Sequence, residues 1–250
     1  MNTRHRLIQF PSLALAVVVA SGACKVGTLV DSGPPNLGNA THLMFVTQPA
    51  NATAGAPIRL QVSAVDSSGG VVTVFNGRVT LALAANPGGD ALHGTVTVTA
   101  AQGTATFTDV RIDRADSGYT IAAATSGLTG VTSGGFIVSA GAPAATTYMT
   151  QPTSTTSGAN ITPAVQVQVV DAFGNPVTQY SGTVTITLAH DGSVLQDASL
   201  QGTTTVSATS GVASFPGLHI DQTGLGYTLG VGIPTGVVPT VSQPFDVVPL

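Results

Sequence analysis

The sequence predicts an all-β protein made of two tandem β-sandwiches, and three observations carry that expectation. The first is composition: Thr, Val, Ala and Gly dominate the 250 residues, apolar residues make up 43% and charged residues only 7%. That mixture suits strands and turns, disfavours helices, and gives each half enough apolar surface for a core of its own. The second is periodicity. Leu60, Val62 and Ala64 alternate with Gln61 and Ser63, as Val165, Val167 and Val169 do with Gln166 and Gln168. A period of two marks a strand with one buried face. The third is duplication, because the same pattern runs twice along the chain.

The turn after Val169-Val170 anchors the second copy. Asp171-Ala172-Phe173-Gly174-Asn175-Pro176 carries the residues that make tight turns, and Pro176 blocks continued pairing. Its first copy is Asp66-Ser67-Ser68-Gly69-Gly70. A strictly alternating strand follows each, over Arg78–Leu83 and Thr183–Leu188. Phe45-Val46-Thr47-Gln48-Pro49 matches Tyr148-Met149-Thr150-Gln151-Pro152, and Phe75-x-Gly77 matches Tyr180-x-Gly182. Gly103-x-Ala105-x-Phe107 matches Gly211-x-Ala213-x-Phe215, and the apolar phase slips by one residue after each Phe, which predicts a β-bulge. Gly118-Tyr119-Thr120 matches Gly226-Tyr227-Thr228, and Phe136-x-Val138 matches Phe245-x-Val247. Short strands every roughly 8 to 12 residues, each flanked by turn residues, make the sandwich the natural architecture. The expected modules are 41–140 and 145–250, joined at 141–144.

The N-terminus reads as an address. Arg4 and Arg6 precede the apolar run Leu13–Ala20, too short to span a bilayer, so residues 1–23 are expected to be a signal peptide. Ser21-Gly22-Ala23-Cys24 resembles a bacterial lipobox, which implies lipid attachment at Cys24. Ser21 stands where that pattern normally has an aliphatic residue, which leaves ordinary signal-peptidase cleavage open. Lys25 rather than Asp after the cysteine implies, by the same resemblance, the outer membrane or cell surface, with a periplasmic or secreted protein as the alternative. Residues 24–40, rich in Gly and Pro, are expected to form a flexible tether with a reach on the order of 20 Å.

Charge excludes some partners. From Ala142 onward there is no Lys or Arg, only Asp171, Asp191, Asp197, Asp221 and Asp246. Phosphate binding needs clustered cations, so nucleic acid is excluded. The single cysteine rules out an intrachain disulfide and a cysteine-based zinc site.

The second module resembles a bacterial immunoglobulin-like domain of the invasin/intimin kind. The carrying residues are Val170-Asp171-Ala172-x-Gly174-Asn175-Pro176-Val177, Ser210-Gly211-Val212-Ala213 and Gly226-Tyr227-Thr228-Leu229. The first module matches more loosely, with Gly70 and Val71 in place of the Asn and Pro. The resemblance implies two immunoglobulin-like sandwiches acting as spacer or adhesive modules on a bacterial surface, and it brings no catalytic residues. The spacing of Asp113 to Tyr119 and of Asp221 to Tyr227 resembles the tyrosine corner, which makes both tyrosines structural.

Beyond the expected signal peptide, ten aromatic residues form repeat-equivalent pairs and read as core, and only Phe173 has no partner. It is either an exposed contact or a ring tucked against the sandwich end or the neighbouring module. With no Trp, a stacking platform for sugars is not expected. Calcium is the alternative ligand, because Asp109, Asp113 and Asp116 crowd one loop, although Arg111 and Arg114 lie within it. Catalysis has no motif: no Gly-x-Ser-x-Gly, His-Glu-x-x-His or phosphate loop occurs, and the adjacent His190 and Asp191 would point to opposite strand faces. The expectation is a non-enzymatic, lipid-anchored envelope protein. It would contact the membrane through its lipid and an unknown protein or surface ligand through the turns Asp171–Pro176 (Asp171, Phe173, Asn175) and His190–Ala198. No small-molecule substrate or resident cofactor is expected, and the rival roles are a calcium-dependent binding module and an enzyme accessory.

Overall fold

The computed structural model describes residues 36–234 and 239–249. The expected signal peptide, Cys24 and most of the tether lie outside the described residues. Residues 36–40, the end of the expected tether, fold onto the first module: Leu37 packs on its core, and the Asn36 N–H donates to Asn76 Oδ1 at 2.7 Å. An apolar side chain next to an open core edge is sufficient cause.

Among the described residues all elements are strands. The first half holds β1 (His42–Thr47), β2 (Ala52–Thr53), β3 (Ile58–Val65), β4 (Arg78–Ala85), β5 (Thr97–Thr99), β6 (Thr104–Val110), β7 (Asp116–Ala124), β8 (Val131–Thr132) and β9 (Phe136–Ser139). The second holds β10 (Ala145–Thr150), β11 (Thr155–Thr156), β12 (Val165–Val170), β13 (Thr183–His190), β14 (Leu200–Gln201), β15 (Thr205–Ser207), β16 (Val212–Phe215), β17 (His219–Ile220), β18 (Gly224–Gly232), β19 (Thr240–Val241) and β20 (Phe245–Val248).

The two halves have the same plan. In the first, β1-β3-β6 form one sheet and β2-β9-β7-β4-β5 the other, with β8 added on β7. In the second, β10-β12-β16 face β11-β20-β18-β13-β15, with β19 added on β18. Among the described strands only β2–β9 and β11–β20 pair in parallel. No described strand crosses from one half to the other. The result is a repeated β-sandwich architecture.

Alternation explains the two cores. Leu60, Val62 and Ala64 of β3 meet Ala105 and Phe107 of β6, Val79 and Leu81 of β4, and Tyr119 and Ile121 of β7 in one cluster. Val165, Val167 and Val169 gather with Ala213, Phe215, Val184, Ile186, Tyr227 and Leu229 in the other. Fully burying each Val, Leu, Ile or Phe among them contributes roughly 1.5–3 kcal/mol, which fixes strand register because a one-residue slip would turn the set outward.

The paired aromatics lie in or against these cores. Tyr119 and Phe136 sit 6.0 Å apart at 31°, and Tyr227 and Phe245 repeat this at 6.0 Å and 36°. Tyr148 and Tyr180 are half-buried because their hydroxyls need partners, which are the carbonyls of Leu229 (2.7 Å) and Thr183 (2.9 Å).

Local geometry follows the turn chemistry. Gln102 and Gly103 have φ of 50° and 81°, and Ser210 and Gly211 have 50° and 79°, the left-handed pair of a two-residue hairpin. The slip after Phe107 is a bulge: Leu60 pairs with Phe107 but Ile58 pairs with Val110. After Phe215 the second half instead ends β16 and re-pairs as β17 with β14.

Candidate functional site

The turn Asp171–Pro176 faces the first module. Asp171 Oδ1 accepts the N–H groups of Phe173 (2.8 Å) and Asn175 (2.9 Å), closing an Asx turn. Its other oxygen accepts Gly141 N–H at 2.8 Å and Asn175 Nδ2 at 2.9 Å, tying the joint to the turn. Asn175 then reaches across. Its Oδ1 accepts Ala115 N–H at 2.9 Å, and its Nδ2 donates to the Asp113 carbonyl at 2.8 Å. Asp171 and Asn175 are 2% and 3% exposed. Burial would raise the Asp171 carboxyl, but the bonds from Asn175, Gly141 and Phe173 outweigh it and hold the group below the usual carboxylate range.

Phe173 completes the contact. Its ring lies over Gly55, whose φ is +76°, and a Cβ at that glycine would run into Phe173 Cε2 and Cζ. The ring is still 45% exposed. Gly158, the equivalent in the second module with φ +75°, has nothing within 4 Å of a Cβ. Of the three candidate partner contacts, Asp171 and Asn175 bond to the joint and to the first module's loop, and Phe173 lies over Gly55 of the neighbouring module, the tucked position that was the alternative to an exposed contact. The first module's turn lacks the means for this contact, since Ser68 and Gly70 replace the ring and the amide.

Beside this joint lies a cleft of about 410 Å³, lined in part by Asp116, Ser117, Ser139, Thr178 and Gln179. Asp116 is its only titratable lining group, so a general acid–base pair would have no second member there.

Asp109, Asp113 and Asp116 have separate partners. Asp109 binds the Thr95 N–H and hydroxyl, the latter at 2.9 Å. Asp113 lies 3.5 Å from both His93 Nε2 and Arg111 Nε, and Asp116 accepts Ser117 N–H at 2.7 Å. Among the described residues no group of three or more His, Cys, Asp or Glu is placed to hold a metal.

Tyr119 and Tyr227 occupy equivalent corners. Tyr119 Oη donates to the Arg114 carbonyl at 2.9 Å, and Tyr227 Oη to the Gln222 carbonyl at 3.1 Å, each five residues upstream. Burial pushes both phenols up, and Asp116 adds to this at Tyr119 as Asp191 does at Tyr227.

The far end of the second module corresponds to the end of the first that receives the turn. Ten residues separate His190 from Gln201 there, against seven between Ala85 and His93, positions fixed by the equivalent pairings of the two halves. The longer loop carries Val194 and Leu195, 94% and 80% exposed, and Leu225 beside it is 71% exposed. Asp191 sets the loop, accepting Ser193 N–H at 2.8 Å and Ala198 N–H at 2.9 Å. Burial opposes ionisation of Asp191, yet the Ser193 and Ala198 bonds and nearby His190 keep its carboxyl low. Ser193 bridges to Gly224, and Leu225 N–H donates to the Gly192 carbonyl at 3.2 Å, so the three apolar side chains share one tip. The sequence singled out His190–Ala198; it gave no sign of Leu225, whose place depends on that cross-strand bridge.

No family model matches the sequence, and no curated protein matches it. Among solved structures the chain is similar to the Escherichia coli adhesin FdeC, at 16% identity and TM-score 0.40, covering 87% of this chain and 65% of that one. Domains 5–6 of the S-layer protein SbsC are similar at 21% identity and TM-score 0.31, covering 86% and 99%. A β-glycosidase from Bacteroides vulgatus is similar at 12% identity and TM-score 0.33, covering 81% and 24%. The chain thus spans just under two thirds of the adhesin and about a quarter of the glycosidase. Likeness this distant carries no argument about what the chain does.

Proposed function

We propose that this chain is an exported bacterial envelope protein, lipid-anchored at Cys24, whose two immunoglobulin-like sandwiches act as a stiff spacer or adhesive module. The joint is the observation that carries the reading. Buried Asp171 and Asn175 bond across it and Phe173 seats on Gly55, so the two cores are coupled rather than free to swing. A coupled tandem projects whatever lies at its far end, which is the mechanical task of a spacer. The arginines beginning the chain, the apolar run Leu13–Ala20 and Ser21-Gly22-Ala23-Cys24 support export and anchoring. The missing Lys and Arg beyond Ala142 support basic partners and discourage bare anionic surfaces.

Expression of the full chain in a Gram-negative host, with fractionation and protease treatment of intact cells, tests this. The wild type is expected in the membrane fraction and the Cys24→Ser variant in the soluble envelope fraction. Membrane retention of Cys24→Ser, or a cytoplasmic wild type, would overturn anchoring.

A further inference from the structure

We infer that the tip made by Val194, Leu195 and Leu225 is a docking surface for a protein that presents an apolar recess bordered by Lys or Arg. The inference deepens the spacer-or-adhesive reading and rests on it, since it gives the projected end its contact.

Three independent features converge on that tip. The first is exposure without local cause. Val194 and Leu195 lie side by side, almost fully in water, on a loop three residues longer than its counterpart, and Leu225 adds a third apolar side chain. Single exposed apolar residues are ordinary, but a cluster on one loop set marks an interaction site. The second is order. The two Asp191 bonds and the Ser193–Gly224 bridge hold the loop in place, so binding would not have to freeze it, and preorganisation of this kind favours affinity. The third is charge. Asp191 accepts the N–H groups of Ser193 and Ala198, Asp221 accepts the Ser199 N–H at 2.8 Å, and Asp197 follows Leu195 by two residues, so three carboxylates lie on or against this loop. The module has no Lys or Arg to neutralise them.

An apolar centre with an acidic rim fits the inverse surface on a partner: an apolar recess to take Val194 and Leu195, and cations to meet the carboxylates. A second copy of this chain fits poorly, because tip-to-tip contact would set carboxylates against carboxylates. The internal precedent agrees that this end of the fold accepts a neighbour. The first module's equivalent end is covered by the Phe173–Asn175 turn, whereas Gly158 on the second is open.

The test uses the purified full chain as bait for a phage-displayed library of random peptides. Selected peptides are expected to combine Lys or Arg with large apolar residues. Their affinity should fall about tenfold or more for the Val194→Ser/Leu195→Ser double variant and weaken in high salt. Both side chains project into water, so the variant should melt with the wild type, and a matching melting curve checks this. No enrichment, peptides without basic residues, binding that requires added calcium, or undiminished binding to the double variant would each overturn the inference. Since no membrane enters the assay, failure of Cys24 anchoring and failure of the docking surface are read separately.

Discussion

Asn175 in the second module donates its Nδ2 to the main-chain carbonyl of Asp113 in the first, at 2.8 Å, while its Oδ1 accepts Ala115 N–H at 2.9 Å. One side chain thus satisfies a donor and an acceptor of the neighbouring module's loop. Asn175→Ala would remove both bonds and leave Asp171 without its amide partner. A cost of about 1–3 kcal/mol is expected for the buried groups left unpaired. The melting temperature should fall, and X-ray scattering should show a broader distribution of interparticle distances as the modules uncouple. An unchanged scattering profile would mean that the bonds do not govern the angle between modules.

Gly55 and Gly158 share nearly the same φ, 76° and 75°, but only Gly55 has a ring above it. Alanine at either position pays the left-handed backbone cost of roughly 1 kcal/mol. Gly55→Ala must in addition push Phe173 aside, so it should destabilise more than Gly158→Ala. Phe173→Ala in the same chain should bring the Gly55→Ala loss down to that of Gly158→Ala. Thermal melts of the four variants measure this coupling, and equal losses for the two glycine variants would remove the ring from the joint.

The sequence showed the sandwich plan because duplicated alternation and turn residues encode it locally. Val165, Val167 and Val169 need only a period of two to declare a buried face, and Ser210-Gly211 needs only its own dihedrals. The inward use of Asp171 and Asn175 was not legible in that way. An Asx turn satisfies itself with its own N–H groups whether water or another module lies opposite, so its composition is the same in both settings. The usable signal was the difference between repeats: Phe173 and Asn175 replace Ser68 and Gly70 at one end only. Read as a pair, those changes mark the joint. Leu225 was hidden for another reason, because it joins Val194 and Leu195 only through a contact between distant strands.

Stability should depend on acid in a defined window. Asp171 and Asp90 have carboxyl pKa values below their ordinary range in the fold, despite burial that opposes this; Asn175 and Gly141 bond the first, and the N–H groups of Ala91, Asp113 and Arg114 the second. A group with a lowered folded pKa contributes its stability above the unfolded value, about 3.9, and loses it as pH falls through the folded one. The melting temperature should therefore hold from neutrality to about pH 5 and fall below about pH 4. Asp171→Asn should melt lower at neutral pH but lose less on acidification. A parallel acid profile for variant and wild type would exclude Asp171 as a contributor.

Tyr119 and Tyr227 offer the most direct comparison between the modules. Both rings are wholly buried, and each hydroxyl holds a carbonyl five residues upstream, Arg114 at 2.9 Å and Gln222 at 3.1 Å. Phenylalanine would keep the packing and delete only the bond, leaving that carbonyl one donor short, so each variant should cost about 0.5–1.5 kcal/mol. The half-buried Tyr180, bonded to the Thr183 carbonyl at 2.9 Å, is the control, because water can replace its hydroxyl. Denaturant unfolding should rank Tyr119→Phe and Tyr227→Phe above Tyr180→Phe in lost stability with m-values unchanged. If all three variants unfold together with the wild type, the corner hydroxyls do not hold the loops. The loop carrying Asp113 and Ala115 would then keep its place against Asn175 through the joint alone.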